Sequence, residues 1–390
     1  MLFRGCITLT PKSLNVEDLW VSAESADKKR FDAVQGERDC VFMALSNDTG
    51  FVFGGSSLGG LYQEVSFEDA VEALRTAIDG GIRDVDTAPH YGTGSAEVVL
   101  GRALDVLGAK VMRITTKVGR YMIPATLAPE YQDRVEWSNA ALNPDCVFPG
   151  ADSSVVPVLD YTLAGFERSH RDSLERLGIA RVHGLRIHDC DNEQRLHELS
   201  TGGGIEFLSR LRSDGIVSEL GTGCNDVGYT LRVMQLMPVV DSVLIANNWN
   251  LIDHPVEILE LFSECKRRGA EVLLAGVFAS GILAAAPSSA KSSSHYQYSS
   301  RVPLEVLSCV ESWSSLASKH GLDLGQVALA FARLPGHRIV LGLRDKREVE
   351  DALCWSRLQK PGDFMALWRE ALNLGLLQEH VRSFLPVELI

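Results

Sequence analysis

The chain is short of most features that would place it at a glance. Its eight cysteines stand singly at positions 6, 40, 146, 190, 224, 265, 309 and 354, with no CxxC pair and no His or Cys at metal-ligand spacing. That distribution argues against a bound metal or a disulfide framework and fits reduced thiols in a cytoplasmic protein. No apolar run approaches the roughly 20 residues that span a bilayer, and the opening Met1-Leu-Phe-Arg-Gly-Cys6 has neither a secretory apolar segment nor the Arg-rich character of a transit peptide. A cytoplasmic location with no membrane partner is the expectation. Basic residues are outnumbered, 38 against 51, for a net charge of −13, and no basic cluster adjoins aromatics, which excludes a nucleic-acid footprint. GxGxxG and the Walker spacing are also missing, so neither a Rossmann turn nor a P-loop holds a nucleotide here.

What remains is a well-formed globular chain of 390 residues, 45% hydrophobic and 23% charged. Residues 1–48 carry mixed charge and little periodicity, and read as an extension with one candidate strand at Val41–Leu45. From Phe51 onward short apolar strands alternate with amphipathic helices. The strands end near Phe53, Asp86, Lys117, His188, Gly221, Ala246, Gly276 and Leu341, and the helices begin near Ser66, Ser95, Tyr161, Glu193, Asp226, Pro255, Pro303 and Arg347. Eight such units predict one closed (β/α)8 barrel over residues 49–390, an α/β fold that uses this length as a single domain. Two segments interrupt the alternation. Residues 119–160, rich in Pro, Asn and Asp and carrying Tyr121, Tyr131, Trp137 and Phe148, read as a long loop and candidate substrate lid. Residues 287–300 are Ser-rich and read as a flexible segment, a candidate cofactor clamp.

Four ionisable residues terminate probable strands or the loops that follow them. Asp86 and Tyr91 lie in Asp86-Thr-Ala-Pro-His-Tyr-Gly, Lys117 closes Val111-Met-Arg-Ile-Thr-Thr-Lys117, and His188 closes Val182-His-Gly-Leu-Arg-Ile-His188. Taken alone, Asp86 and Tyr91 suit turn and packing roles equally well; the C-terminal mouth of one barrel would collect all four. This order and spacing, with the helix Asp172-Ser-Leu-Glu-Arg-Leu-Gly178, resembles the aldo-keto reductase superfamily from about Phe51 to about Leu376. Within it the chain is most similar to the branch of L-galactose and D-threo-aldose (D-arabinose) 1-dehydrogenases.

The chemistry can be argued from the residues themselves. A phenol ionises near pH 10, so Tyr91 needs a neighbouring cation to stabilise its phenolate; Lys117 supplies one, and Asp86 is the carboxylate that keeps Lys117 ionised. A neutral His188 can orient the substrate oxygen. No side chain can supply hydride, so a nicotinamide cofactor, NADP or NAD with NADP slightly favoured, is required. The reaction expected is hydride transfer at C1 of an aldose to give a lactone. General aldehyde reduction and a non-catalytic cofactor-binding subunit stand as alternatives. The partners expected are a small-molecule aldose or aldehyde and no macromolecule, with the chain monomeric or weakly self-associating.

The resemblance further implies cofactor contacts. Gly55 and Ser56 in the glycine-rich turn after the first strand pass beneath the nicotinamide ribose, Asn225 in Gly221-Thr-Gly-Cys-Asn225 takes the carboxamide, and Phe278 stacks on the ring. Ser280 and Gly281 approach the diphosphate, while Gly342, Arg344, Arg347 and Asp351 receive the adenosine end. Several positions depart from the family pattern: Ala279 follows the aromatic where Asn is common, Glu348 stands where a basic residue often holds a 2′-phosphate, Ala352 replaces an Asn, and His183 replaces an acid. The segment Ala246-Asn-Asn-Trp-Asn-Leu-Ile252 also differs, so Tyr121, Asn248 and Trp249 are the candidate pocket residues.

Overall fold

The computed structural model describes residues 49–108, 112–131, 133–284, 295–358 and 364–385. The extension at 1–48 with its strand at Val41–Leu45, and the Ser-rich residues 287–294, lie outside these.

Eight parallel strands close into a barrel in the order β1-β10-β9-β8-β7-β6-β3-β2. They are β1 (Phe51–Gly54), β2 (Asp84–Asp86), β3 (Arg113–Val118), β6 (Gly184–His188), β7 (Glu219–Cys224), β8 (Ser242–Ala246), β9 (Glu271–Ala275) and β10 (Arg338–Gly342). Around them run α1 (Phe67–Asp79), α2 (Ser95–Leu107), α3 (Leu163–Leu177), α4 (Glu193–Thr201), α5 (Gly204–Ser213), α6 (Val227–Leu236), α7 (Ile258–Arg268), α8 (Leu304–Lys319), α9 (Leu324–Ala332), α10 (Lys346–Leu358) and α11 (Met365–Asn373). Local chemistry explains the starts. Ser66, Thr162 and Asp226 each cap a helix by accepting from the backbone of Asp69, Gly165 and Tyr229, which satisfies donors that a helix start otherwise leaves bare. In α1 the spacing of Ala70, Val71, Ala73, Leu74 and Ala77 lays one stripe of small apolar side chains against the barrel. No helix among the described residues is long and apolar enough to cross a membrane.

Strand alternation sorts the barrel wall into two cores. Phe51 and Phe53 face the helices, whereas Val52 points inward to an interior cluster with Leu244, Ala246, Leu273 and Val340. Two of the expected boundaries move. The strand expected to end at Gly221 continues to Cys224, and the helix expected from Pro255 begins at Ile258 after a turn.

The larger difference is at residues 119–160. Part of that stretch is an antiparallel hairpin, β4 (Arg120–Pro124) paired with β5 (Val155–Leu159), outside the barrel. Both strands are mostly apolar, but each lasts only 5 residues, too short a run to stand out beside the Pro, Asn and Asp around them. Tyr121, Ile123, Ala128, Val135, Ala140, Val156 and Val158 form an apolar cluster of their own.

Candidate active site

Asp86 ends β2, Lys117 is the penultimate residue of β3 and His188 ends β6, so parallel strands deliver all three to one mouth. Tyr91 follows in the loop after β2, at the head of the kinked turn Tyr91–Gly94, in which Gly92 and Thr93 take left-handed backbone angles. Two glycines make room. A Cβ at Gly59 would lie 2.8 Å from the Tyr91 carbonyl carbon, so the turn after β1 presses directly on the tyrosine's peptide; a Cβ at Gly223 would lie 3.3 Å from Lys117 Cε.

The four predicted groups meet. Lys117 Nζ donates to the Tyr91 hydroxyl at 2.9 Å and to the Thr87 carbonyl at 3.0 Å, and pairs with Asp86 Oδ1. Asp86 and Lys117 are almost completely buried. The His188 ring stands edge-on to Tyr91 with centroids 5.9 Å apart, and its Nδ1 is buried without a hydrogen-bond partner among the described residues. Burial, helped by Arg120 and Lys117, holds the His188 imidazole well below its ordinary range, so it is neutral. The ammonium of Lys117 is pulled down by burial and held up by Asp86.

Tyr91 is shifted by its surroundings as well. Burial, reinforced by Asp86 and Asp189, lifts its hydroxyl well above the usual phenol range, and Arg120 and Arg186 oppose this without overcoming it. The hydroxyl is held neutral in the structure, where it accepts from Lys117.

Several neighbours were not singled out from the sequence. Arg186 is buried and donates to Asp86 Oδ2 at 2.5 Å. Its signal was present, since the two-residue period of β6 puts Arg186 and His188 on the same inward face. His90 and Phe148 pack in a T-shaped pair, 5.7 Å between centroids, with His90 5.9 Å from His188 and Phe148 6.3 Å from Tyr91. Burial drops the His90 imidazole to about 4. Arg120, also buried, grips Glu136 with two bonds of 2.5 and 2.8 Å and reaches Asp189 at 3.2 Å. Asp189, immediately after His188, sits at φ 40°, a conformation retained where surrounding bonds enforce it; Tyr161 donates to the His188 and Asp189 carbonyls at 2.6 and 2.9 Å.

The predicted cofactor residues gather around the mouth. Gly55 N donates to the Asp86 carbonyl at 2.7 Å, and Ser56 Oγ lies 3.9 Å from where Gly342 would carry a Cβ. Asn225 follows β7 directly, and its side chain bonds the hydroxyl of Tyr298. Ala279, Ser280 and Gly281 are consecutive left-handed residues, and a Cβ at Gly281 would meet nothing within 4 Å among the described residues. Open backbone of that kind suits the close approach of an oxyanion, so these positions fit an extended dinucleotide. Ser280 Oγ meets the Tyr62 hydroxyl at 2.9 Å. The Phe278 ring is half-buried, 6.2 Å from Trp355. Arg344 is engaged by Glu348 through both its guanidinium and its backbone N–H, and reaches Gln63 at 2.9 Å. Arg347 is exposed, 3.8 Å from Asp351.

The predicted substrate residues are not brought together. Asn248 donates to the Asn225 and Ala246 carbonyls, both at 2.7 Å, and stays at the mouth. Trp249 is 1% exposed, its ring stacked on Phe331 at 5.1 Å, because an indole at a strand end gains more from the core than from water. Tyr121 is buried in the hairpin cluster with the Arg168 guanidinium over its ring.

The chain is similar to several known proteins. Pyridoxal 4-dehydrogenase from Microbacterium luteolum is 30% identical over 346 residues, covering 84% of this chain and 94% of the relative. D-threo-aldose 1-dehydrogenase from a Pseudomonas species is 28% identical over 328 residues, 83% and 93% of the two chains. Among solved structures, the glycerol dehydrogenase from Gluconobacter oxydans superposes with a TM-score of 0.62 at 18% identity, covering 84% of this chain and 93% of its own. The aldo/keto reductase from Klebsiella pneumoniae in complex with NADP and acetate gives 0.55 at 16%, covering 85% and 92%; both share the fold. The Aldo/keto reductase family model matches residues 51–373, and the chain belongs to that family.

Proposed function

We propose that the chain transfers hydride between a nicotinamide cofactor and the C1 hemiacetal of an aldose-like substrate, giving a lactone. The observation that carries this reading is the bonded line Asp86, Lys117, Tyr91 with a neutral His188 beside it. The two relatives named above support the substrate class. An aldose and pyridoxal both carry an aldehyde within ring-closing reach of a hydroxyl, so each can present a cyclic hemiacetal.

When bound, the nicotinamide supplies or accepts the hydride. The residues that would hold it are Gly55, Ser56, Asn225, Phe278, Ser280, Gly281 and Gly342, with Arg344, Arg347 and Asp351 toward the adenosine end. Tyr91 moves the proton. In oxidation its phenolate takes the anomeric hydroxyl proton, and Lys117, donating at 2.9 Å, stabilises that phenolate. Asp86 keeps Lys117 charged, and His188 orients the reacting oxygen. His90 and Phe148 wall the substrate side and exclude water.

Reduction of aldehydes by the same groups in reverse is the second reading, favoured by the protonated state in which burial holds Tyr91. The test is absorbance of reduced nicotinamide while the protein meets NAD or NADP with aldoses and pyridoxal, then the reverse assay with aldehydes. Oxidation of a lactol-forming aldehyde supports the first reading, and turnover only with reduced cofactor supports the second. Cofactor binding with no turnover in either direction overturns both and leaves a cofactor-binding subunit.

A further inference from the structure

The barrel interior is electrically lopsided. The wall formed by β1, β8, β9 and β10 contributes the apolar cluster of Val52, Leu244, Ala246, Leu273 and Val340, with ions only at its strand starts, where Arg338 pairs with Asp84 at 2.5 Å and lies 3.5 Å from Glu271. The wall formed by β2, β3, β6 and β7 contributes ions, and these form one continuous line. Arg186 Nη1 donates to Asp86 Oδ2 at 2.5 Å, its Nη2 to Glu219 Oε1 at 2.6 Å and its Nε to Ser242 Oγ at 3.0 Å. Lys117 takes the other oxygen of Asp86, and His183 Nε2 stands 3.5 Å from Glu219 Oε2. From His183 to Tyr91 the partners are thus imidazole, carboxylate, guanidinium, carboxylate, ammonium and phenol.

Asp86 and Lys117 alone would balance. Arg186 and Glu219 add a second pair, buried at Arg186 and 18% exposed at Glu219, and replacing a buried pair by packed apolar residues is often neutral or stabilising. The neighbouring half of the same barrel shows that apolar filling is available to this fold. Lys117 and Arg186 are also direct partners in the β3–β6 ladder, so the second cation is built beside the first.

We propose that Arg186 is a positioning residue for proton transfer at Tyr91: by holding Oδ2 of Asp86 it divides that carboxylate between two cations and leaves Lys117 only partly neutralised. The surplus positive charge bears on the Tyr91 hydroxyl, and Glu219 sets how large that surplus is. The arrangement rests on Tyr91 being the proton-transfer group. Its electrostatics are consistent, since Arg186 acts to lower both the Tyr91 hydroxyl and the Lys117 ammonium. The other groups facing the line are Asp189 and Arg120 at the mouth, His183 before β6, and Glu271 on β9, which feels Glu219 together with the Arg338 and Asp84 pair.

The experiment is the pH profile of aldose oxidation in R186Q, R186K and E219Q, with melting curves to establish folding. A Tyr91 Cζ carbon-13 NMR titration, assigned with Y91F, reads the same ionisation without turnover. Removing Arg186 takes positive charge from the line, so R186Q is expected to move the ascending limb about one pH unit alkaline, roughly a tenfold loss at a fixed pH on the limb. R186K is expected to restore most of it. E219Q removes the opposing carboxylate and is expected to shift the limb the other way. Opposite shifts from these two variants establish the proposal. Unmoved limbs in folded variants overturn it, and where R186Q does not fold, an unmoved limb in E219Q does so alone. Y91F separates the two ideas: turnover retained in Y91F removes the proton-transfer assignment itself, whereas a dead Y91F with unshifted R186Q and E219Q removes only the role of Arg186.

Discussion

Asp86→Asn is the sharpest perturbation of this site, because one carboxylate answers two buried cations. In the folded protein Asp86 pairs with Lys117 through one oxygen and Arg186 through the other, and all three side chains are at most 3% exposed. Asparagine keeps the volume and can still accept one bond, but the charge is gone. Breaking a buried pair by removing one partner costs about 3–5 kcal/mol, and the upper part of that range is expected because Glu219 can answer only Arg186. Lys117 is already lowered by burial, with Asp86 the main group holding it up. Without Asp86 its folded-state value falls further below the unfolded one. Between those two values the unfolded chain binds the extra proton, so stability must rise with pH, with a slope of at most about 1.4 kcal/mol per pH unit. Denaturant unfolding of both proteins from pH 6 to 10 measures loss and slope together. A loss under about 1 kcal/mol, or a slope equal to the wild type's, would show that Asp86 does not compensate the two cations.

Tyr91→Phe should lower turnover roughly 10²- to 10⁴-fold while cofactor affinity, read by fluorescence titration, stays within about twofold; wild-type rates would remove Tyr91 from the chemistry. His90 is held at about 4 against an ordinary 6.5, so its contribution is complete above pH 6.5 and lost as pH falls toward 4. The span corresponds to about 3 kcal/mol, and His90→Asn should flatten the acid limb of a stability-pH curve by an amount of that order. Glu348 occupies Arg344 through guanidinium and backbone bonds, so Glu348→Ala should free the cation and improve kcat/KM for NADP over NAD about tenfold; an unchanged ratio would mean that Arg344 does not meet a 2′-phosphate.

The parts of the site that were legible in the sequence are those where a strand period and a charged terminus coincide. Asp86, Lys117 and His188 each close an apolar run, and parallel strands necessarily carry such ends to one mouth. Arg186 was overlooked because an arginine inside an apolar strand resembles a surface residue until its face is counted against His188. Trp249 went the other way: residue type and position suggested a pocket wall, but packing against Phe331, Phe262 and Phe384 decided its place. The protonation of Tyr91 was not readable at all, since burial depends on neighbours from several distant segments. The hairpin at 120–159 was hidden for a similar reason, its apolar partners lying some 35 residues apart in the register Arg120 with Leu159 to Pro124 with Val155.

That hairpin carries its own apolar cluster and is tied back by a few defined bonds, among them Arg120 to Asp189, Arg134 to Glu198, and Ser169 to the Arg120 carbonyl. A unit with a private core can loosen without the barrel melting. The segment that brings Phe148 to the substrate side can therefore exchange sequence, and with it substrate preference, while the eight strands and the ion line they enclose keep one proton-transfer apparatus unchanged.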